Sequence, residues 1–143
     1  GIKTKHVSGE YSSAKLDKNA KFKSSWELAV MMAWDRDKSV ISYQYEPEIF
    51  QISEFARTIP DFFVTFSNGT STFVEVKPTS LQKMKTIADK IHLTKMKIEE
   101  SGRRYEVFGD DEVKEMILDL GDEFKNEVEF YKNRSKELLD CNS

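Results

Sequence analysis

A mixed α/β domain, with a small mixed β-sheet flanked by helices, is what this 143-residue sequence predicts. Three observations lead there. Apolar residues at helical spacing follow Ser24, two β-rich runs flank Asn68-Gly69, and a second helical pattern over 80–100 returns to a short strand at 103–108.

Residues 1–23 are rich in Lys, Ser and Gly with few apolar anchors, which predicts a flexible or loosely docked basic arm. Ser24 can cap the first helix, with Glu27 three residues later as a capping box requires. Trp26, Ala29, Val30, Ala33 and Trp34 then place one apolar face on the core, and Asp35-Arg36-Asp37-Lys38 ends the helix. Val40–Phe50 is β-rich and interrupted by Pro47. Thr58–Phe66 and Thr70–Val76 flank Asn68-Gly69, a two-residue hairpin signal. Pro78 ends the second arm. A long helix follows from about 80 to 100, with Leu81, Met84, Ile87, Ala88, Ile91 and Ile98 on one side and Ser101-Gly102 closing it. After the strand at 103–108, residues 111–139 read as acidic helix, divided near Gly121. The core is therefore expected over 24–110, with 111–143 an acidic helical segment packed on it or extending from it.

Hydrophobic residues make up 38% and charged residues 33%, with 10 Phe, enough for one core in a single domain. No apolar run approaches the roughly 18 to 20 residues of a membrane span, so no membrane partner is expected. One cysteine, Cys141, can make no intramolecular disulfide, which favours a reducing, intracellular setting. The net charge of −3 is unevenly spread. Residues 1–23 carry six Lys against Glu10 and Asp17, whereas residues 110–143 carry 11 acidic and 5 basic side chains. A cationic face away from the C-terminal quarter remains compatible with an anionic partner.

The chemistry concentrates on the hairpin. Alternation puts Glu75 and Lys77 on one face of their strand, and a turn at Asn68-Gly69 brings Asp61 opposite residue 76 or 77. Two carboxylates and an ammonium gathered at a sheet edge suit phosphodiester cleavage. Oxygen ligands hold Mg²⁺, the cation neutralises transition-state charge and acidifies an attacking water, and the lysine stabilises developing charge.

Lys23-Ser24-Ser25-Trp26-Glu27, Ile59-Pro60-Asp61-Phe62-Phe63 and Phe73-Val74-Glu75-Val76-Lys77-Pro78 together resemble the PD-(D/E)XK nuclease superfamily. Within it the chain is most similar to the endonuclease domain of the transposition protein TnsA and to the head-completion nucleases of tailed phages. The resemblance covers about residues 21–110. It implies a restriction-endonuclease-like core and a Mg²⁺-dependent DNA endonuclease of phage or mobile-element origin, with Mn²⁺ able to substitute. It further implies Asp61 and Glu75 as metal ligands, Lys77 as the catalytic lysine and Glu27 completing the metal shell directly or through water. Lys21, Lys23, Lys83, Lys85, Lys90 and Lys95 are the expected phosphate contacts on DNA. The acidic C-terminal segment is the expected surface for a homodimer or for a phage or transposition partner.

Plainer readings stand beside these. An E-x-K triplet alone is common, and what adds weight is Pro60-Asp61 fourteen residues before Glu75, across a hairpin and behind a helical Glu. Glu27 can be a capping residue only, and Glu75 with Lys77 a solvated strand face. His6 and His92 are the only histidines, too few for a His-rich zinc site, and Trp26 and Trp34 read as core. The rival functions are a non-catalytic phage structural, assembly or DNA-binding protein, and a Holliday-junction resolvase or a homing or restriction endonuclease. A cytoplasmic or virion-associated location fits all of them.

Overall fold

The computed structural model describes residues 7–141; Lys3, Lys5 and His6 lie outside the described residues. The elements are β1 (Gly9–Tyr11), β2 (Ala20–Phe22), α1 (Ser25–Arg36), β3 (Val40–Tyr45), β4 (Phe50–Ser53), β5 (Ala56–Thr58) and β6 (Phe62–Phe66). They continue with β7 (Ser71–Val76), α2 (Thr79–Gln82), α3 (Lys85–Glu100), β8 (Tyr105–Phe108), α4 (Asp110–Leu120) and α5 (Asp122–Cys141). The main sheet runs β3-β6-β7-β8, while β1-β2 and β4-β5 are separate two-stranded ribbons. β3/β6 and β6/β7 pair antiparallel, and β7/β8 pair parallel. The parallel pair follows from α2 and α3, which supply the long crossover that parallel strands need. The fold is thus mixed α/β with a mixed sheet between helical layers, as expected.

Helix α1 carries the first layer. Ser24 Oγ accepts from Glu27 N at 3.2 Å, which starts the helix where the sequence placed it. Leu28, Ala29, Val30 and Met31 are all fully buried, so the helix is enclosed around most of its circumference. The sheet lies on one side, where Trp34 packs edge-on to Phe62 at 5.1 Å and also meets Tyr43 and Phe108. α4, α5 and β2 pack against other sides. Val113, Leu120, Phe124, Val128 and Tyr131 supply that packing. Gly121, at φ +58°, breaks the C-terminal helix at the expected place. Among the described residues, no helix is long and apolar enough to cross a membrane.

The other sheet face has its own smaller core of Phe50, Phe73, Ile98 and Tyr105, where β4 and α3 cover β7 and β8. Alternation explains the division. Val74 and Val76 of β7 point to α1, and Phe73 points to α3, so Glu75 and Lys77 continue Phe73's face.

Four expectations are corrected. Residues 7–23 are not a loose arm. Val7, Leu16, Ala20 and Phe22 are buried in the main core, and Phe22 stacks edge-on against Tyr131 at 4.8 Å. Lys15, one of the arm lysines, donates to Trp34 O at 2.8 Å and Asp37 O at 2.7 Å and so closes the end of α1. Tyr11 and Tyr43 both donate to Asp35 nearby. Leu16→Ala should therefore cost about 2–4 kcal/mol, read as a lowered midpoint in urea; an unchanged midpoint would restore the loose arm.

The turn between β6 and β7 has three residues rather than two. Gly69 N donates to Phe66 O at 3.0 Å, Phe66 N to Thr70 O at 2.8 Å, and Gly69 sits at φ +87°. This is the type I turn with a glycine bulge. The run around Pro47 breaks there as expected, but the expected run Thr58–Phe66 is divided as well. Pro60 has no N–H to donate and separates β5 from β6, releasing β4-β5 as its own hairpin. Finally, extended Met84 (φ −72°, ψ 131°) splits the long helix into α2 and α3. Of the expected apolar face only Ile98 is buried. Leu81 and Met84 are exposed, and Ile87 and Ile91 line an open cleft.

Candidate active site

Asp61 enters just before β6, on the α3 side of the sheet. The register Phe62↔Val74 sets Asp61 across from Glu75 rather than residue 76 or 77, the one extra turn residue shifting the partner by one. Its carboxylate accepts from Val76 N at 2.7 Å, and its carbonyl accepts from Glu46 N at 2.7 Å. Glu75 is flanked by β6 and β8, and Tyr105 OH on β8 donates to it at 3.2 Å. Lys77 is fixed by its backbone. Its N–H donates to Phe108 O at 2.9 Å, and its carbonyl accepts from Gln82 Nε2 at 2.8 Å. Thr79 and Asp110 exchange two hydrogen bonds just beyond, locking the chain that leaves β7 to the start of α4. Gly109 allows this contact, since a Cβ there would stand 2.6 Å from Thr79 Oγ1.

Asp61 and Glu75 interact as an acid pair. Burial raises Asp61 most, the charge of Glu75 adds to it, and the carboxyl reaches about 7 despite the opposing Val76 N–H and Lys77. Burial also raises Glu75, with Lys77, the proton of Asp61, the Tyr105 hydroxyl and Lys90 holding it down. The two carboxyls therefore share a side-chain hydrogen bond and together resist losing every proton. Tyr105 is itself pushed upward by burial and by Glu75, so it remains a donor.

Glu27 arrives from the α1 layer and is buried. Its carboxylate accepts from Lys23 N at 2.8 Å and from Tyr45 OH at 2.9 Å. It therefore holds the backbone one residue before the N-cap rather than the Ser24 N–H that a capping box uses, so only the Ser24 half of the expected box is present. The charge of Asp61 is felt there, and burial first, then Asp61, raises its affinity for a proton. Among the described residues, no three Asp, Glu, His or Cys groups gather closely enough to hold a metal. The structure brings Asp61, Glu75 and Lys77 together and leaves Glu27 at the border of that group.

A cleft of about 500 Å³ opens over Glu75, Lys77 and Tyr105. The β4-β5 hairpin forms one wall with Ile49, Arg57, Thr58 and Ile59, and α3 forms the other with Ile87, Lys90, Ile91 and Thr94. Of the six expected DNA-contacting lysines, only Lys90 lines it. Lys85 pairs with Asp89 at 3.1 Å, Lys95 lies 3.9 Å from Glu99, and Lys23 pairs with Glu46 at 3.0 Å. Lys21 is exposed on β2 opposite Glu10, and Lys83 is exposed between α2 and α3. Sequence reasoning gave no role to Arg57, Tyr45 or Tyr105. Tyr105 had a legible strand around it, but a lone Arg in a three-residue strand carries no signal.

Two adjoining carboxylates and neutral or cationic donors can hold a divalent cation and receive a phosphate beside it. The pair's resistance to full ionisation is what a dication beside it would relieve. Compared with known proteins, the sequence matches no family model and no curated protein.

Proposed function

We propose that this protein is a Mg²⁺-dependent DNA endonuclease with a restriction-endonuclease-like core. The observation that carries this reading is the side-chain contact of Asp61 with Glu75, which with Lys77 lines a cleft that also carries Arg57 and Lys90. Asp61 and Glu75 would hold the cation, with Glu27 adding negative charge at the same edge. Magnesium keeps several of its waters and commonly uses one or two carboxylates, so a third close ligand is not required. Mn²⁺ meets the same oxygen donors. The ion would neutralise phosphate charge and make an attacking water more acidic. Lys77 orients or stabilises charge at the scissile phosphate, Tyr105 OH fixes the Glu75 carboxylate, and Arg57 and Lys90 hold the flanking strand.

A DNA-binding protein that keeps this fold without cutting is the competing reading. The bridged Asp61–Glu75 pair, which needs no metal to be satisfied, is the observation on its side. Supercoiled plasmid incubated with the protein should be nicked in Mg²⁺ or Mn²⁺ and left intact in EDTA. DNA retained by the protein yet uncut in either metal would establish the non-cutting reading.

A further inference from the structure

Cutting a backbone requires access to a phosphate, which a duplex displays on its outside. A shallow cationic surface would be enough for that. This molecule instead has a walled cleft, and both walls carry isoleucines: Ile49 and Ile59 on the hairpin side, Ile87 and Ile91 on α3. A phosphate has no use for aliphatic walls, whereas a base or sugar does. Its cations are distributed to suit a strand passing through, with Arg57 on one wall, Lys90 on the other and Lys77 on the floor. The volume of about 500 Å³ is that of a small-ligand site. A space of that size accommodates one nucleotide rather than the full width of a duplex.

The hairpin wall is also packed onto the sheet. An isolated two-stranded ribbon is marginal in water, and β4-β5 is anchored at its base. Phe50 packs edge-on to Phe73 at 5.2 Å, and the Arg103 guanidinium lies 5.3 Å and 5.0 Å from their ring centres. Yet its turn presents Phe55, 93% exposed, two residues before Arg57. Ile49 and Ile59, at the hairpin's two ends, are 59% and 40% exposed. The hairpin thus spends its packing at the base and leaves apolar groups toward solvent from the cleft wall to the tip. An exposed ring at the tip of a hairpin whose cleft wall carries Arg57 is a surface on which an unpaired base can stack irrespective of sequence.

We infer that the cleft between the β4-β5 hairpin and α3 receives one unpaired nucleotide, with Phe55 as a stacking platform for a neighbouring base. Resting on the nuclease reading of the floor, this makes the substrate single-stranded or locally unpaired DNA, such as a flap or a gap, rather than an intact duplex. Binding in EDTA tests it without calling on cleavage. Fluorescence anisotropy would compare a labelled single strand, its blunt duplex, and the same duplex with an unpaired flap. The single strand and the flap should bind about tenfold or more tightly than the blunt duplex. Ile49→Ala with Ile59→Ala should erase most of that preference, and Phe55→Ala should weaken single-strand binding by about fivefold or more. All three positions are solvent-facing, so thermal melting should confirm folded variants. Equal or tighter binding of the blunt duplex, or a preference untouched by these substitutions, would overturn the inference. Cleavage in Mg²⁺ answers separately: selective binding with no cutting would defeat the nuclease reading and leave the cleft assignment standing.

Discussion

Asp61→Asn should abolish Mg²⁺-dependent cleavage, by roughly 10³-fold or more, and should at the same time stabilise the metal-free protein at pH 8. The first effect follows from losing a charged oxygen ligand, where a cation supplies several kcal/mol of transition-state stabilisation. The second follows from burial. Asp61 is held at about 7, well above its ordinary 3.8. Between those values the folded protein binds a proton that the unfolded chain has released. By linkage, this group's contribution to stability declines as pH rises through that window and is least favourable above 7. Asn keeps the oxygen that accepts from Val76 N and carries no charge to desolvate. The gain should be about 1–2 kcal/mol, or roughly 3–6 °C, in EDTA at pH 8, and should shrink toward pH 4. Mg²⁺ should raise the melting temperature of the unsubstituted protein at pH 8 and leave the variant unmoved. A variant that cuts at the original rate would remove Asp61 from the site, and one that melts lower in EDTA would remove its desolvation cost.

The sequence carried the elements whose evidence is local. α1 announced itself through Ser24, Glu27 and its apolar spacing, the α4/α5 break through Gly121, and the hairpin through Asn68-Gly69. Its full burial was less legible, because what wraps α1 comes from β2, α4 and α5, remote in sequence. Residues 7–23 were misread for a related reason. Of their anchors, Val7, Leu16, Ala20 and Phe22, only Ala20 and Phe22 alternate, and over too short a strand to signal one, while the lysines among them outweigh the anchors in composition. Lys15 serves as a helix stop through two carbonyls, a use that charge counting cannot see. The site divides along the same line. Glu75 and Lys77 share a face by alternation alone, and Asp61 needed only the hairpin register, missed by the one residue that the glycine bulge adds. Tyr105, Arg57 and Lys90 join them through the α3 crossover and the short β4-β5 hairpin. Pro60 marked where a strand would end, but nothing nearby showed that the released segment would turn back over Glu75.

Lys77→Ala should lower the cleavage rate by roughly 10²- to 10³-fold, the usual cost of removing a positioned charged group at a reacting centre. Its effect on DNA affinity should be smaller, because Arg57 and Lys90 still line the cleft. The pH profile should move as well. Lys77 lowers the proton affinity of both Asp61 and Glu75. Without it the pair ionises at higher pH, so the rising limb of the rate should shift to the alkaline side in both Mg²⁺ and Mn²⁺. Lys77→Arg restores the charge but not the compact ammonium, and should recover the position of that limb more fully than the rate. Lys90→Ala provides the contrast. Lys90 stands on the opposite wall, and its influence on Glu75 ranks below those of Lys77, Asp61 and Tyr105. Its loss should weaken binding and flatten the salt dependence by about one phosphate contact, with the larger share of the effect in KM. If Lys90→Ala instead took the large loss in kcat while Lys77→Ala cut at the original rate, the catalytic ammonium would belong to α3, and Lys77 would be a cation on the cleft floor.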